Sequence, residues 1–163
     1  GERYNMVGFQ TNLLFPEQKR VFSMFPALKN AEFLRYGVMH KNTFINSPKT
    51  LESDYSLKGR RTVFFAGQIT GVEGYVESAS SGLWAAINLD RKLNGKEPLA
   101  ADCRTVIGAL AAYVAAPNAD FQPMNANYGV LKPLGVTPKK KSDKKRLLSE
   151  RAIETIKEIK EQL

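Results

Sequence analysis

Three glycines, Gly67, Gly71 and Gly74, separate a β-forming run from a stretch rich in small residues, and this junction is the part of the sequence best suited to chemistry. A strand that passes through glycines into a helix directs backbone N–H groups and the positive end of the helix dipole beyond the strand. An anionic or electron-rich ligand fits there, and the amide of Gln68 offers it a donor and an acceptor without a charge. The spacing differs from the GxGxxG fingerprint of dinucleotide-binding folds.

Several other residues of this chain could have a chemical role, but each also has a purely structural interpretation. Thr70 and Glu73 could form a capping box, which would be a purely structural use of the turn. His40 is the single histidine, and a lone histidine beside an apolar segment is more often structural than functional. Cys103, the single cysteine, is a nucleophile type, yet its place at the entry to a predicted helix favours inert packing. One cysteine excludes an intrachain disulfide and a multi-cysteine zinc site, so we expect no metal and a reducing, cytoplasmic location.

The elements that must position the glycine turn are a strand before it and a helix after it. Residues 62–66 are rich in β-branched and aromatic types, which predicts a buried strand. Small side chains at helical spacing predict a helix from about Tyr75 that ends near Gly95 and whose backbone approaches a sheet or a ligand closely. A second helix is predicted over about residues 104–115. These predictions place the glycine turn at a strand-to-helix junction.

The residues before this junction predict mostly extended structure. Residues 4–14 favour a strand, and Pro16 stands where a short helix could begin, reaching about residue 25. Residues 31–40 predict an extended segment bent at Gly37, followed by a turn at residues 46–48.

The C-terminal segment, residues 139–163, has nine Lys and Arg against five Asp and Glu, in a chain of net charge +8. Its apolar residues fall at steps of four, four, three and four, which predicts an amphipathic helix with Ser142 as the N-cap: Leu148, Ala152, Ile156, Ile159 and Leu163. The helix could simply dock this stripe on the body and leave its basic face in solvent. A sequence pI near 9.6 favours an anionic partner such as nucleic acid.

Four segments of the chain resemble one enzyme family. FFAGQITGVEGYVESASSGL is similar to the C-terminal flavin-site segment of folate- and FAD-dependent tRNA (uracil-5-)-methyltransferases, and also to that of the flavoproteins that place carboxymethylaminomethyl groups on wobble uridines. MVGFQTNLLFPEQKRVF, LRYGVMHKNTFINSPKTL and FQPMNANYGVL resemble the methyltransferases, over about residues 4–131. The resemblance implies an α/β chain of glutathione-reductase-like architecture. It assigns residues 1–56 to the end of an inserted β-rich domain, with a boundary near Ser56, residues 57–138 to the C-terminal part of the FAD domain, and residues 139–163 to a basic helix.

The resemblance also implies an activity and its cofactors. The family transfers a one-carbon unit from methylenetetrahydrofolate, through reduced FAD and with NAD(P)H as the reductant, to C5 of a uridine in the tRNA T-loop. The implied flavin contacts are Gly67, Gln68, Gly74, Tyr75 and Val76. His40 is the single candidate for the histidine that stacks on the folate pteridine in this family. Arg35 could bind the folate tail or a tRNA phosphate, or form a surface salt bridge.

The resemblance further implies that this chain lacks part of the enzyme. The family's catalytic thiols and first FAD fingerprint belong to a portion upstream, so we expect no catalytic residue here, an N-terminal portion of the same protein as a partner, and no activity from this chain alone. No segment looks like a membrane span. One alternative is a tRNA-binding module without catalysis, which would hold phosphates with Lys139, Lys140, Lys141, Lys144, Lys145, Arg146 and Arg151. The other is the wobble-uridine flavoprotein.

Overall fold

A computed structural model of the chain describes residues 2–39 and 42–163. The chain divides into two compact units, Gly1–Lys41 and Asn42–Leu163. Ser56, the predicted domain boundary, is buried inside the second unit, where its hydroxyl donates to Asp54 Oδ1 at 2.6 Å. The two units are defined by contacts within this chain, whereas the predicted domains belong to a larger fold. The assignment of residues 1–56, 57–138 and 139–163 therefore stays a prediction.

The first unit is built around helix α1, Phe15–Phe22, and a 3-10 turn, Pro26–Leu28. Pro16 lies at the start of α1, where its missing N–H costs nothing, so the predicted short helix is confirmed. The buried amide of Gln18 holds the unit together, because it donates to Leu13 O and Gly37 O at 2.8 Å and accepts from Gly37 N–H at 3.0 Å.

The strand predicted over residues 4–14 does not form. The described part of this unit, residues 2–39, contains no strand, and residues 31–39 run without a ladder partner. A strand needs a neighbouring strand to satisfy its backbone hydrogen-bonding groups. Here the side-chain amide of Gln18, and not a strand, bonds the N–H and the carbonyl of Gly37. The strand prediction failed because local β propensity says nothing about the partner.

The second unit is a mixed α/β assembly with two very small sheets. Its elements are α2 (Ser47–Thr50), β1 (Ser56–Leu57), β2 (Arg60–Phe64), β3 (Val72–Glu73), α3 (Tyr75–Leu93), α4 (Val106–Ala115), β4 (Met124–Asn125) and α5 (Lys141–Lys160). Strands β1 and β2 pair antiparallel, and β3 and β4 pair parallel. Helices α3 and α4 confirm the predicted helices, and Gly95 follows α3 with φ of 69°. No helix within residues 2–39 or 42–163 is long and apolar enough to cross a bilayer.

The core of the second unit lies between α3, α4 and the loops around them. Its buried residues include Leu51, Tyr55, Val72, Trp84, Leu110, Val114 and Phe121. Most of strand β2 lies outside this core, because four of its five residues are exposed. The prediction of a buried strand over residues 62–66 is therefore wrong in burial, although a strand is present. Within the described residues β2 pairs with β1 alone, and of its five side chains Phe64 packs against the core.

Helix α5 packs on the second unit through a different stripe from the predicted one. Leu148 and Thr155 are buried, and Ala152 and Ile159 are half-buried, whereas Ile156 is 45% exposed. Thr155 can face inward because its hydroxyl donates to Arg151 O at 2.9 Å. The predicted N-cap is also wrong: Ser142 lies inside the first turn, and Lys140 occupies the N-cap position without a side-chain hydrogen bond.

Candidate functional site

The glycine turn, residues 67–76, connects the end of β2 to the start of α3. Gly67 has φ of 76° and ψ of −160°, and Gly74 has φ of 108° and ψ of 153°. Both conformations belong to a region that is open essentially to glycine alone. Between them, Gln68–Thr70 form a 3-10 turn and Val72–Glu73 form β3. The predicted strand-to-helix junction is therefore present, and α3 begins at Tyr75 as predicted.

The first turns of α3 hold one side of the glycine turn. Gly67 N–H donates to Ser81 Oγ at 2.7 Å, and Ser81 Oγ donates to Ser78 O at 2.8 Å. A Cβ on Gly67 would lie 3.9 Å from Ser78 Cβ, in ordinary van der Waals contact with α3. The small residues of α3 thus allow the strand end to lie against the helix, which is the close approach that the sequence indicated.

Hydrogen bonds inside the turn fix its second side. Thr70 Oγ donates to Gly67 O at 2.7 Å, and Thr70 O accepts from the Ser47 hydroxyl at 2.7 Å. Thr70 is fully buried. Because its hydroxyl is used in this way and the N-cap of α3 is Gly74, the alternative capping box of Thr70 and Glu73 is not formed. The threonine shapes the turn and does not cap the helix.

The loop around β4 forms the third side of the turn. Met124 N–H donates to Gly71 O at 2.9 Å, and the Asn125 amide donates to Glu73 O at 3.2 Å. Ala126 N–H then donates to Glu77 Oε1 at 2.9 Å. Residues 124–126 therefore lie against the end of the turn and the first turn of α3.

The turn leaves several backbone donors unused. In the described part of the chain, the N–H groups of Gln68, Ile69, Tyr75 and Val76 have no acceptor. Helical N–H groups point toward the helix N-terminus, where the dipole is positive. The side chains beside these donors are open to solvent: Gln68 is exposed, Tyr75 is 97% exposed and Val76 is 76% exposed. Such a surface can bind an electron-rich, flat group against the main chain.

The five residues predicted to contact flavin thus lie on one continuous turn, but Arg35, a candidate folate residue, belongs to the other unit. Arg35 is exposed and lines a cleft of about 850 Å³ with Arg3, Phe33 and Tyr36 among its walls. His40 lies outside the described residues. Cys103 is half-buried and packs against the cluster of Ala109, Leu131 and Leu148, as expected of a structural cysteine.

Sequence reasoning missed two contributors to the turn. Ser81 belongs to the small-residue stretch that predicted α3, but its hydroxyl also accepts from Gly67 N–H. Its position six residues into α3 could have indicated that it faces the strand end. The β4 loop had no signal, because its two-residue strand lies about 50 residues away in sequence and carries no β pattern.

The family of this chain follows from the same region. A family model for glucose inhibited division protein A matches residues 1–97, which include the whole glycine turn. The chain therefore belongs to the glucose inhibited division protein A family.

Within it, the chain is similar to proteins named methylenetetrahydrofolate–tRNA-(uracil-5-)-methyltransferase TrmFO. The protein of Listeria innocua is 54% identical over 164 aligned residues, covering 100% of this chain and 38% of its own length. That of Natranaerobius thermophilus is 55% identical over 98% of this chain and 37% of its own length. That of Caldicellulosiruptor bescii is 60% identical over 80% of this chain and 30% of its own length. The chain spans less than two fifths of the length of these curated relatives.

Proposed function

We propose that this chain is the C-terminal part of a folate- and FAD-dependent tRNA (uracil-5-)-methyltransferase. The observation that carries the proposal is the 54% identity with an enzyme of that name across all of this chain. The activity would move a one-carbon unit from methylenetetrahydrofolate to C5 of a T-loop uridine, with NAD(P)H as the source of electrons, in the cytoplasm. The relatives' names do not favour the wobble-uridine flavoprotein or a binding module without catalysis.

The glycine turn fits the flavin end of FAD. Gly67 and Gly74 hold backbone conformations open essentially to glycine alone, and these set the course of the turn that exposes its N–H groups. The unused N–H groups of Tyr75 and Val76, at the positive end of the α3 dipole, would bind and orient the electron-rich pyrimidine edge of the ring. Gln68 could donate or accept at the same edge. When bound, reduced FAD would supply the electrons of the transfer, while these residues tune and orient it.

Folate binding would fall to residues of the first unit. His40 is proposed to stack on the pteridine, and Arg35 to pair with the anionic tail or with a tRNA phosphate. The exposure of Arg35 on an aromatic-walled cleft supports this role, since a guanidinium binds carboxylates and phosphates in a bidentate manner.

An N-terminal portion of the same polypeptide is the proposed partner of the second unit. One face of α3 is apolar and exposed, with Val76, Ala79, Leu83 and Ala86 at steps of three and four. Leu83 is 59% exposed, and four of the five residues of β2 are exposed as well. Surfaces of this kind are commonly buried by another segment. A glutathione-reductase-like FAD domain would cover them, with residues 57–138 as its C-terminal part, residues 1–56 ending an inserted β-rich domain and 139–163 the basic helix.

The activity is tested with the complete enzyme that carries this chain. Purified enzyme, FAD, NAD(P)H, methylenetetrahydrofolate and an unmodified tRNA transcript should give 5-methyluridine in the T-loop. Nucleoside analysis by mass spectrometry measures it. A carboxymethylaminomethyl product, or tRNA binding without any modified uridine, would reject the proposal in favour of one of the alternatives.

Gly74→Ala in the complete enzyme is expected to weaken flavin binding. At this position the fold would hold an alanine in a backbone conformation that only glycine adopts readily, which costs about 1 to 3 kcal/mol. If relaxation of that strain moves the start of α3, the affinity falls by roughly fivefold to 150-fold. Flavin fluorescence titration measures the change.

Gly82→Ala is the matched control, because Gly82 lies inside the same helix and its Cβ would meet nothing within 4 Å. Helix propensity predicts unchanged flavin binding and slightly higher stability for this variant. Equal flavin affinity of the Gly74→Ala and Gly82→Ala enzymes would argue against a flavin at the glycine turn.

His40→Ala is expected to impair folate use more than flavin retention, because stacking on a pteridine contributes to folate binding alone. In the complete enzyme the KM for methylenetetrahydrofolate should rise by about tenfold, the loss of one aromatic contact of roughly 1.4 kcal/mol. Steady-state assays and the flavin absorbance of the desalted enzyme measure the two effects. Parallel losses of folate use and flavin would identify His40 as structural.

A further inference from the structure

The positive charge of α5 and the segment before it is concentrated at one end. Residues 139–146 contain six Lys and Arg against the single acidic residue Asp143. Residues 147–163 contain three Lys and Arg against four Glu. The C-terminal half of the helix is therefore nearly neutral, whereas the N-terminal end is strongly basic.

This arrangement is the reverse of what helix stability favours. Cations stabilise a helix near its C-terminus and destabilise it near its N-terminus, where the dipole is already positive. Lys141 and Lys144 lie in the first turn of α5, and the lysines before them add to the same charge. Stability of the helix therefore does not explain why the charge lies at this end.

The basic residues at this end also lack acidic partners. Across residues 2–39 and 42–163, none of five lysines has a carboxylate within ion-pairing distance: Lys139, Lys140, Lys141, Lys144 and Lys145. Arg146 pairs with Glu150 at 2.8 Å, both side chains being exposed. Toward the other end, Lys157 pairs with Glu154 at 2.8 Å. The unpaired charge thus collects before and in the first turns of α5.

Arg151 does not belong to this surface, although the sequence grouped it with the phosphate-binding candidates. Its guanidinium donates to Lys132 O at 2.5 Å and to Pro133 O at 3.0 Å. These bonds hold the loop before α5 on the helix, which is a structural role.

An exposed aromatic ring adjoins the lysines. Tyr128 is 49% exposed, and Lys145 Nζ lies 5.7 Å from its ring centroid. Tyr128 follows residues 124–126, which contact the glycine turn through Glu73 and Glu77. The lysines therefore adjoin, through the contact of Lys145 with Tyr128, the loop that contacts the glycine turn two residues earlier. Proteins that bind single-stranded nucleic acid usually combine basic residues, which contact the phosphates, with an aromatic ring on which a base stacks.

We propose that the basic surface, made of Lys139, Lys140, Lys141, Lys144, Lys145, Arg146 and Tyr128, binds the phosphate backbone of tRNA next to the flavin site. The identity of the nucleic acid rests on the proposed function. The lysines would contact phosphates without reading sequence, and Tyr128 would stack on an unpaired nucleotide.

The test compares two double variants of the complete enzyme. Lys141→Gln/Lys144→Gln and Lys157→Gln/Lys160→Gln remove the same charge from exposed positions three residues apart on one helix. Affinity for an unmodified tRNA transcript is measured at several salt concentrations. The first pair should weaken binding by roughly tenfold at low salt and flatten the plot of log affinity against log salt by about 1.5, since each phosphate contact contributes about 0.7 to 0.9. The second pair should leave the slope unchanged.

Helix stability gives a readout that separates binding from folding. The first pair removes charge that opposes the dipole, so its thermal midpoint should stay the same or rise while tRNA affinity falls. The second pair should lower the midpoint slightly. Tyr128→Ala should weaken binding without changing the salt slope.

Equal salt slopes for the two double variants, or equal losses of tRNA affinity, would overturn the proposal. It would also be overturned if the Lys141→Gln/Lys144→Gln enzyme lost binding to an acidic protein or to an anionic vesicle more than binding to tRNA. Failure of the proposed function would look different. The unsubstituted enzyme would then form no 5-methyluridine, whatever the salt slopes of the variants.

Discussion

The isolated 163-residue chain is expected to bind FAD roughly a hundredfold to ten-thousandfold more weakly than the complete enzyme. In glutathione-reductase-like folds a βαβ unit holds the adenine and pyrophosphate, and a second segment holds the flavin end. The glycine turn is the proposed second segment, and the chain contains no GxGxxG fingerprint for the first. Loss of two charge-assisted hydrogen bonds to the pyrophosphate, each about 1.5 to 3 kcal/mol, accounts for the range.

The flavin absorbance of the purified chain after desalting measures this effect, and a fluorescence titration gives the affinity. The same sample should form no 5-methyluridine when FAD, a reductant, methylenetetrahydrofolate and tRNA are added. Cys103, the one thiol of the chain, packs against a hydrophobic cluster, as a structural cysteine does. Stoichiometric flavin in the chain would contradict the binding half of the prediction, and turnover above a no-enzyme control would contradict the catalytic half.

The helices of the second unit could be predicted from the sequence because their signals are local. Small side chains at helical spacing identified α3, and Gly95 marked its end. In α5 the periodicity identified the helix but assigned Ile156 to the buried face in place of Thr155. Neighbouring positions on a helix differ by 100°, so an apolar residue at the edge of a stripe competes with a polar one whose hydroxyl can bind the backbone. Hydrophobicity alone cannot decide between them.

The pairing and burial of the strands, and much of the site, could not be predicted, because they depend on contacts between distant residues. The glycine turn itself was visible, since its conformations require glycine. The bond from Gly67 to Ser81 and the contact of the β4 loop with Glu77 were not, because no local pattern specifies a partner dozens of residues away. The prediction that β2 is buried failed for the same reason, because a β-forming run predicts a strand but the surroundings of the strand decide its burial.

Trp84→Ala is expected to lower the free energy of unfolding of the chain by about 3 to 5 kcal/mol, since removing a buried aromatic side chain leaves a cavity. Trp84 is 2% exposed in the core of the second unit, and its Nε1–H donates to Ser53 O at 3.2 Å. Leu83→Ala is the matched control. It changes the neighbouring residue of α3, which is 59% exposed, and should alter the free energy of unfolding by at most about 0.5 kcal/mol. Urea denaturation followed by circular dichroism measures both.

The same pair of variants tests what covers α3 in the complete enzyme. If an N-terminal portion buries the apolar face of α3, Leu83 becomes a core residue there, and Leu83→Ala should then cost about 2 kcal/mol or more. Trp84→Ala should be strongly destabilising in both contexts, because its surroundings lie within this chain. A Leu83→Ala enzyme as stable as the unsubstituted one would mean that the α3 face stays in solvent. Comparable losses for both variants in the isolated chain would instead mean that α3 packs with its Leu83 face inward, contrary to the core described for the second unit.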